Sequence, residues 1–333
     1  MHFKGKKVSS ITIIKFNYLI YKLLTLFVSL GFVSGSLAQN ENLSSKLSPD
    51  ALNFIVLGDW GRYGDDHQLQ VAQQLAKTSK EIHAQFFISV GDNFYPKGVA
   101  SIHDAHWHYS FEDIYKDFAH QKEWYGILGN HDYMGNPDAQ VEYTNISRRW
   151  VMPGRYYTKD FKLKGQDEIL QITFIDTNPL IPEFYNNKEY GPNVMTQDTV
   201  AQIGWLKETI SRKDKTWKLV VGHHPMFTGS EKRREGYDTR SIRSSLRGIL
   251  ESNDVDAYIA GHDHSLQHLL PEGGMHHFVS GSASEATEVG MLPFTKFAAQ
   301  AYGFLVFSVT SQKIQVFAIS HSGEVLYDTT IVR

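Results

Sequence analysis

Apolar residues along this chain fall into short continuous runs separated by amphipathic stretches. The runs at 53–57, 85–90, 124–128, 170–175, 219–221 and 257–260 predict buried strands. Between the first two, Leu69, Ala72, Leu75 and Ala76 share one face of a helix predicted over 68–80. Val200, Ile203, Leu206 and Ile210 predict a second helix before 219–221, and Ile242, Leu246, Ile249 and Leu250 a third before 257–260. His276 and His277 fall in a further strand. Toward the C-terminus, runs at 303–309, 313–319 and 324–332 are joined by short polar turns, as in an antiparallel meander. Strands alternating with helices predict an α/β layered fold, in which ligands bind beyond the carboxyl ends of strands.

The N-terminal segment follows a different pattern. Residues 1–38 carry Lys4, Lys6, Lys7, Lys15 and Lys22 and no acid, then an apolar run over 23–33, then Ser36-Leu37-Ala38. This is the order of a secretory signal, with cleavage expected after Ala38. The strict apolar run is too short to span a bilayer unaided, so a membrane anchor is expected only if the segment stays uncleaved. The polar stretch 39–50 reads as a linker and 51–333 as one domain. Loss of the five lysines leaves 28 basic residues against 36 acidic ones and moves the net charge from −3 to −8. Such a chain is a poor non-specific nucleic-acid binder, and an anionic substrate needs a local positive source.

The residues after each strand carry the candidate chemistry. They are Gly58-Asp59-Trp60-Gly61, Gly91-Asp92-Asn93-Phe94-Tyr95, Gly129-Asn130-His131-Asp132, Gly222-His223-His224-Pro225 and Gly261-His262-Asp263-His264. Any one of them reads as a turn. Five together place oxygen and nitrogen donors at the ends of five strands facing one crevice, which points to a shared metal site. The chain has no cysteine and 16 histidines, so any metal must be held by nitrogen and oxygen donors.

With these motifs the sequence resembles the calcineurin-like metallophosphoesterases, more closely the purple acid phosphatases of the small tartrate-resistant type. The resemblance runs from residue 53 to the C-terminus and includes Phe111-Glu112-Asp113-Ile114 and Arg148-Arg149-Trp150. It implies a four-layer α-β-β-α sandwich of two mixed sheets, with a binuclear metal site at the C-terminal ends of strands. Most metallophosphoesterases carry Asp-x-His in the first motif. Here Gly61 stands in the His position, and Tyr95 follows Asp92 by three residues. A phenolate is a hard anionic donor suited to Fe(III). The resemblance implies an Fe(III) site of Asp59, Asp92, Tyr95 and His264. It implies a second site of Asp92, Asn130, His223 and His262 for divalent Fe, Zn or Mn, with Asp92 shared.

The implied reaction is hydrolysis of a small phosphate monoester, with phosphoprotein and nucleotide also open as substrates. A metal-activated hydroxide attacks phosphorus in line with the leaving group. His131 resembles the residue that orients phosphate or protonates the leaving group; a purely supporting hydrogen bond is the other reading. A phosphodiesterase or nucleotidase built on the same centre is the alternative function, and a binding module with a vestigial site a further one. Localisation is expected to be periplasmic or secreted, with no stable membrane partner after cleavage. Lys232 stands where animal relatives carry a second outer histidine, and Lys232-Arg233-Arg234 reads either as a phosphate holder or as a solvated loop. His103, His106 and His108 read as surface residues rather than a third metal site. His224 either points away or lines the pocket, and Asp176 supports the site. Trp60, Tyr63 and Phe94 either wall the entrance or pack in the core.

Overall fold

The structure is a computed structural model, and it describes His2, residues 42–165 and residues 168–333. The signal read over 1–38 lies outside the described residues, His2 apart. Leu43–Arg333 forms one compact unit. Its start corrects the linker reading: Leu43–Lys46 is a turn of 3-10 helix, with Leu43 buried in the core and Leu47 packed against it. Two leucines four residues apart give this polar stretch one apolar face, and the Ser44 amide donates to Glu81 at 3.2 Å. Residues 43–50 therefore belong to the compact unit rather than to a linker.

Among the described residues, two seven-stranded mixed sheets form the centre. The first contains β1 (Leu52–Leu57), β2 (Phe86–Ser89), β3 (Trp124–Gly126) and β4 (Trp150–Val151), all parallel. The second is built around β6 (Ile169–Phe174), β7 (Trp217–Val221), β8 (Ala257–Ala260) and β10 (His276–Ser280), also parallel. It is edged by antiparallel β5 (Tyr157–Lys162) on one side and by β9 (Leu266–Leu269) and β11 (Thr295–Ala299) on the other. The expected meander is present as β12 (Gly303–Val309), β13 (Lys313–Ser320) and β14 (Val325–Val332), and β12 pairs antiparallel with β1.

Strand alternation explains the layering. In β1, Phe54 and Val56 enter an inter-sheet core with Leu170, Ile172, Leu219 and Val221 of the second sheet. Ile55 and Leu57 point the other way, into a core with Val71, Ala72 and Leu75 of α1 (Gln68–Glu81). On the far side, Val220 and Ala260 share that core's helical face with Leu206 and Ile210 of α2 (Thr199–Ile210). Ile242, Leu246 and Leu250 of α3 (Tyr237–Glu251) complete it. Both faces of the central strands are buried, which is why they read as continuous apolar runs. This is the expected four-layer α-β-β-α arrangement.

Two helical stripes are rotated from expectation. Leu69 is 42% exposed while Val71 is buried, and Val200 is 81% exposed while Gln202 is buried. Gln202 is drawn inward because its amide answers the backbone of Asp176: its Oε1 accepts from the amide at 2.9 Å and its Nε2 donates to the carbonyl at 2.9 Å. Trp60 and Phe94 belong to the core, where Trp60 also packs on Phe111, Tyr115 and Trp124. Tyr63 is the exposed member of that trio and stacks on His106 at 4.1 Å. His103 and His108 are exposed and His106 is buried.

Candidate metal centre

The loops that end the parallel strands meet at one point. Asp59, Asp92 and His262 have positive φ of 61°, 49° and 67°. Non-glycine residues mostly avoid this region, at a cost of about 1–3 kcal/mol each, and hold it only where their surroundings fix them. The flanking glycines are needed for close approach. A Cβ on Gly129 would lie 2.1 Å from Asp92 Oδ1, and one on Gly91 would lie 2.6 Å from His223 Nδ1.

Tyr95 marks the first half of the site. Its buried phenolic oxygen lies 3.1 Å from Asp59 Oδ1, 3.0 Å from Asp92 Oδ2 and 3.2 Å from His264 Nε2. Burial and the two carboxylates hold the phenol well above its usual pKa. Two carboxylates and a phenol around one buried point therefore require a cation before the phenolate can form. Asp92 Oδ2 also lies 3.4 Å from His223 Nε2, so one carboxylate oxygen stands between the two proposed sites. Burial opposes charge on both partners, yet their mutual attraction takes Asp92 well below the usual carboxylate range and His223 up to about 9. A proton on His223 and a metal ion are two ways of bringing positive charge to the same place.

The second half contains buried atoms without a hydrogen bond. Asn130 Oδ1 and His223 Nε2 are buried without a hydrogen bond. Both are lone-pair donors, and buried donors of this kind are expected to be satisfied. The ligand atoms of Asp59, Asp92 and His223 lie within 4.8 Å of one another. The three candidate histidines each have one ring nitrogen tied to an acceptor. His223 Nδ1 meets the Val90 carbonyl at 2.8 Å, His262 Nε2 meets Asp238 Oδ2 at 2.9 Å, and His264 Nδ1 meets Glu285 Oε2 at 3.3 Å. Such outer bonds fix the tautomer and turn the other nitrogen toward a metal. The donor set is wholly oxygen and nitrogen, and the residues present fit a pair of metal cations.

His131 sits beside this cluster. Its backbone amide donates to Asp92 Oδ1 at 2.8 Å, its Nδ1 meets the Pro96 carbonyl at 2.6 Å, and its ring lies 4.4 Å from that of Tyr95. His224 lines the site: its ring is 4.4 Å from His262 and 4.8 Å from His223, and Nδ1 meets Thr177 Oγ1 at 2.8 Å. Asp176 has the supporting place expected of it. It accepts from the Tyr133 hydroxyl and from the Asn178 amide at 3.1 Å.

Several residues at the site carried no sequence signal. Arg62 lies 3.8 Å above the Tyr95 ring and pairs with Glu285 at 2.7 Å. The hydrogen bond with His264 draws the Glu285 carboxyl down to about 2. Asp238 lies in the first turn of α3, and Arg233 belongs to the basic run read either as a phosphate holder or as a solvated loop. In the structure Lys232 is exposed, whereas Arg233 turns inward and its Nη1 meets His262 Nε2. Asp132 was legible only as a neighbour of Asn130 and proves to be a buried acceptor for four separate residues.

The fold and this site define a metal-dependent phosphoester hydrolase. The calcineurin-like phosphoesterase family model matches residues 52–266, and the chain belongs to that family. Purple acid phosphatase 7 of Arabidopsis thaliana is 33% identical over 327 residues, covering 94% of this chain and 97% of its own. Human tartrate-resistant acid phosphatase type 5 is 31% identical over 302 residues, covering 85% and 91%. Among solved structures, GAP50, the anchor in the inner membrane complex of Plasmodium, superposes with a TM-score of 0.72 at 25% identity, covering 85% of this chain and 89% of that one. The yellow lupin purple acid phosphatase PPD1 shares the fold, with a TM-score of 0.63 at 14% identity over 85% of this chain and 54% of its own.

Proposed function

We propose that the protein is an exported acid phosphatase that hydrolyses phosphate monoesters at an Fe(III)–divalent metal pair. Asp59, Asp92, Tyr95 and His264 would hold the trivalent ion. Asp92, Asn130, His223 and His262 would hold the divalent one, Fe, Zn or Mn. The observation that carries this reading is the approach of Asp59, Asp92 and His264 to the Tyr95 oxygen within 3.0–3.2 Å. A buried phenolate beside two carboxylates favours a hard trivalent cation.

When bound, the metals would supply positive charge to the phosphoryl oxygens and lower the pKa of water, so that hydroxide is present in acid. The chain's own residues do the rest. Asp92 Oδ2 stands between Tyr95 and His223, where it can be shared between the two ions. His131 donates Nδ1–H to Pro96, which leaves Nε2 to carry a proton to the leaving oxygen. The basic, apolar and small-residue order of 1–38 supports export, and 28 basic against 36 acidic residues beyond it argues against a nucleic-acid partner.

The test is turnover of p-nitrophenyl phosphate against its bis-ester by metal-loaded protein, with and without chelator. Faster, chelator-sensitive monoester hydrolysis is expected. Faster diester turnover would move the reading to a phosphodiesterase. No turnover by loaded protein would favour a binding role, as for GAP50, the anchor in the inner membrane complex of Plasmodium.

A further inference from the structure

The loop between β7 and α3 holds three consecutive basic residues with different fates. Lys232 is exposed, and Arg234 pairs loosely with Glu231 at 3.8 Å. Arg233 alone turns inward. Its Nε pairs with buried Asp263 Oδ1 at 3.2 Å, and its Nη1 lies 4.0 Å from Asp238 Oδ2 and against His262 Nε2. The loop that presents it is held in place. The amides of Arg233 and Arg234 donate to the Ser230 carbonyl at 3.2 and 2.9 Å, and Arg243 Nη2 of α3 donates to the Arg234 carbonyl at 2.9 Å.

Arg233 and His264 line the same cavity of about 350 Å³, in which Lys232 and two exposed carboxylates, Glu231 and Glu288, also take part. A permanent cation and a candidate ligand of the first metal thus face one space. His262 Nε2 must donate its hydrogen to the Asp238 carboxylate, because a carboxylate accepts only. The Arg233 Nη1 hydrogens therefore find no acceptor at that nitrogen. A guanidinium has five N–H donors, and with Nε on Asp263 and Nη1 beside His262 and Asp238, Nη2 is left for an anion in the cavity that Arg233 lines.

We propose that Arg233 is a substrate-binding residue that grips non-bridging oxygens of the phosphoryl group, with Asp263 and Asp238 positioning it. This rests on the phosphoesterase reading and adds a specificity to it. A fixed cation at this place favours a dianionic monoester over a monoanionic diester.

The test compares wild type with R233M and R233K for metal content, binding of inorganic phosphate by calorimetry, and kinetics on p-nitrophenyl phosphate and its bis-ester. In R233M, phosphate affinity is expected to fall about 10- to 100-fold, with KM for the monoester rising alongside it. Metal content stays at the wild-type level, the monoester-to-diester preference narrows, and R233K recovers part of the loss. Phosphate affinity within twofold of wild type at unchanged metal content would overturn the proposal. So would parallel loss of metal and phosphate binding that lysine does not rescue, since that marks a structural role beside His262. If wild type hydrolyses neither ester, the hydrolase reading fails, while the phosphate titration still decides the role of Arg233.

Discussion

The carboxylate of Asp132 holds the backbone amide of Asn93 with both oxygens at 3.1 Å. The same group accepts from the Gly129 amide at 2.8 Å, the Phe94 amide at 3.3 Å and Gln140 Nε2 at 2.8 Å. It thereby ties the loop that carries Asp92 and Tyr95 to the turn that carries Asn130.

Replacing this acceptor should therefore loosen both halves of the centre. Each buried donor left without a partner costs about 1–3 kcal/mol. We expect Asp132→Ala to lose at least about 3 kcal/mol of stability and to purify with less bound metal. Thermal melts with elemental analysis check this. Wild-type melting and full metal content in the variant would show that the two loops hold their geometry without Asp132.

His131 offers a cleaner separation of roles. Its contact with Asp92 runs through the backbone amide, which an alanine retains. We expect His131→Ala to lower kcat about 10²- to 10⁴-fold, as for loss of a general acid, with metal content near wild type. If metal content and turnover fall in proportion, the side chain supports the site instead.

A histidine remote from the centre sets part of the response to acid. His120 is buried against Phe87, Tyr115 and Trp124, and neither ring nitrogen has a partner. Burial lowers its pKa from the ordinary 6.5 to about 4. A folded value below the unfolded one means that the unfolded chain binds the extra proton. The stability from neutral His120 is full above about pH 6.5 and is lost as pH falls toward about 4. His120→Phe should flatten the decline in melting temperature across that window. Parallel wild-type and variant curves between pH 7 and 4 would show that His120 does not titrate there.

The legible part of the structure is the part in which two physical signals coincide. Continuous apolar runs marked β1, β2, β6, β7 and β8 because both faces of those strands are buried. A glycine and a polar residue then marked the turn after each ligand-bearing strand. Strand β5 was not legible, since Tyr157–Lys162 is an edge strand with most residues exposed or half-buried. Strand β4 is two residues long and is recognisable only by its pairing with β3. The outer partners were hidden for another reason. Arg62, Asp238 and Glu285 lie far apart in sequence and have the composition of a solvated surface. Their roles come from tertiary contacts with Tyr95, His262 and His264.

The proposed metal pair rests on Tyr95 as a ligand of Fe(III). Its most direct test is the visible spectrum of purified protein, taken with metal analysis, for wild type and Tyr95→Phe. We expect an iron-containing wild type with a purple-to-pink phenolate-to-iron absorption band, and loss of that band in the variant. A colourless, iron-free wild type that hydrolyses phosphate monoesters would contradict it.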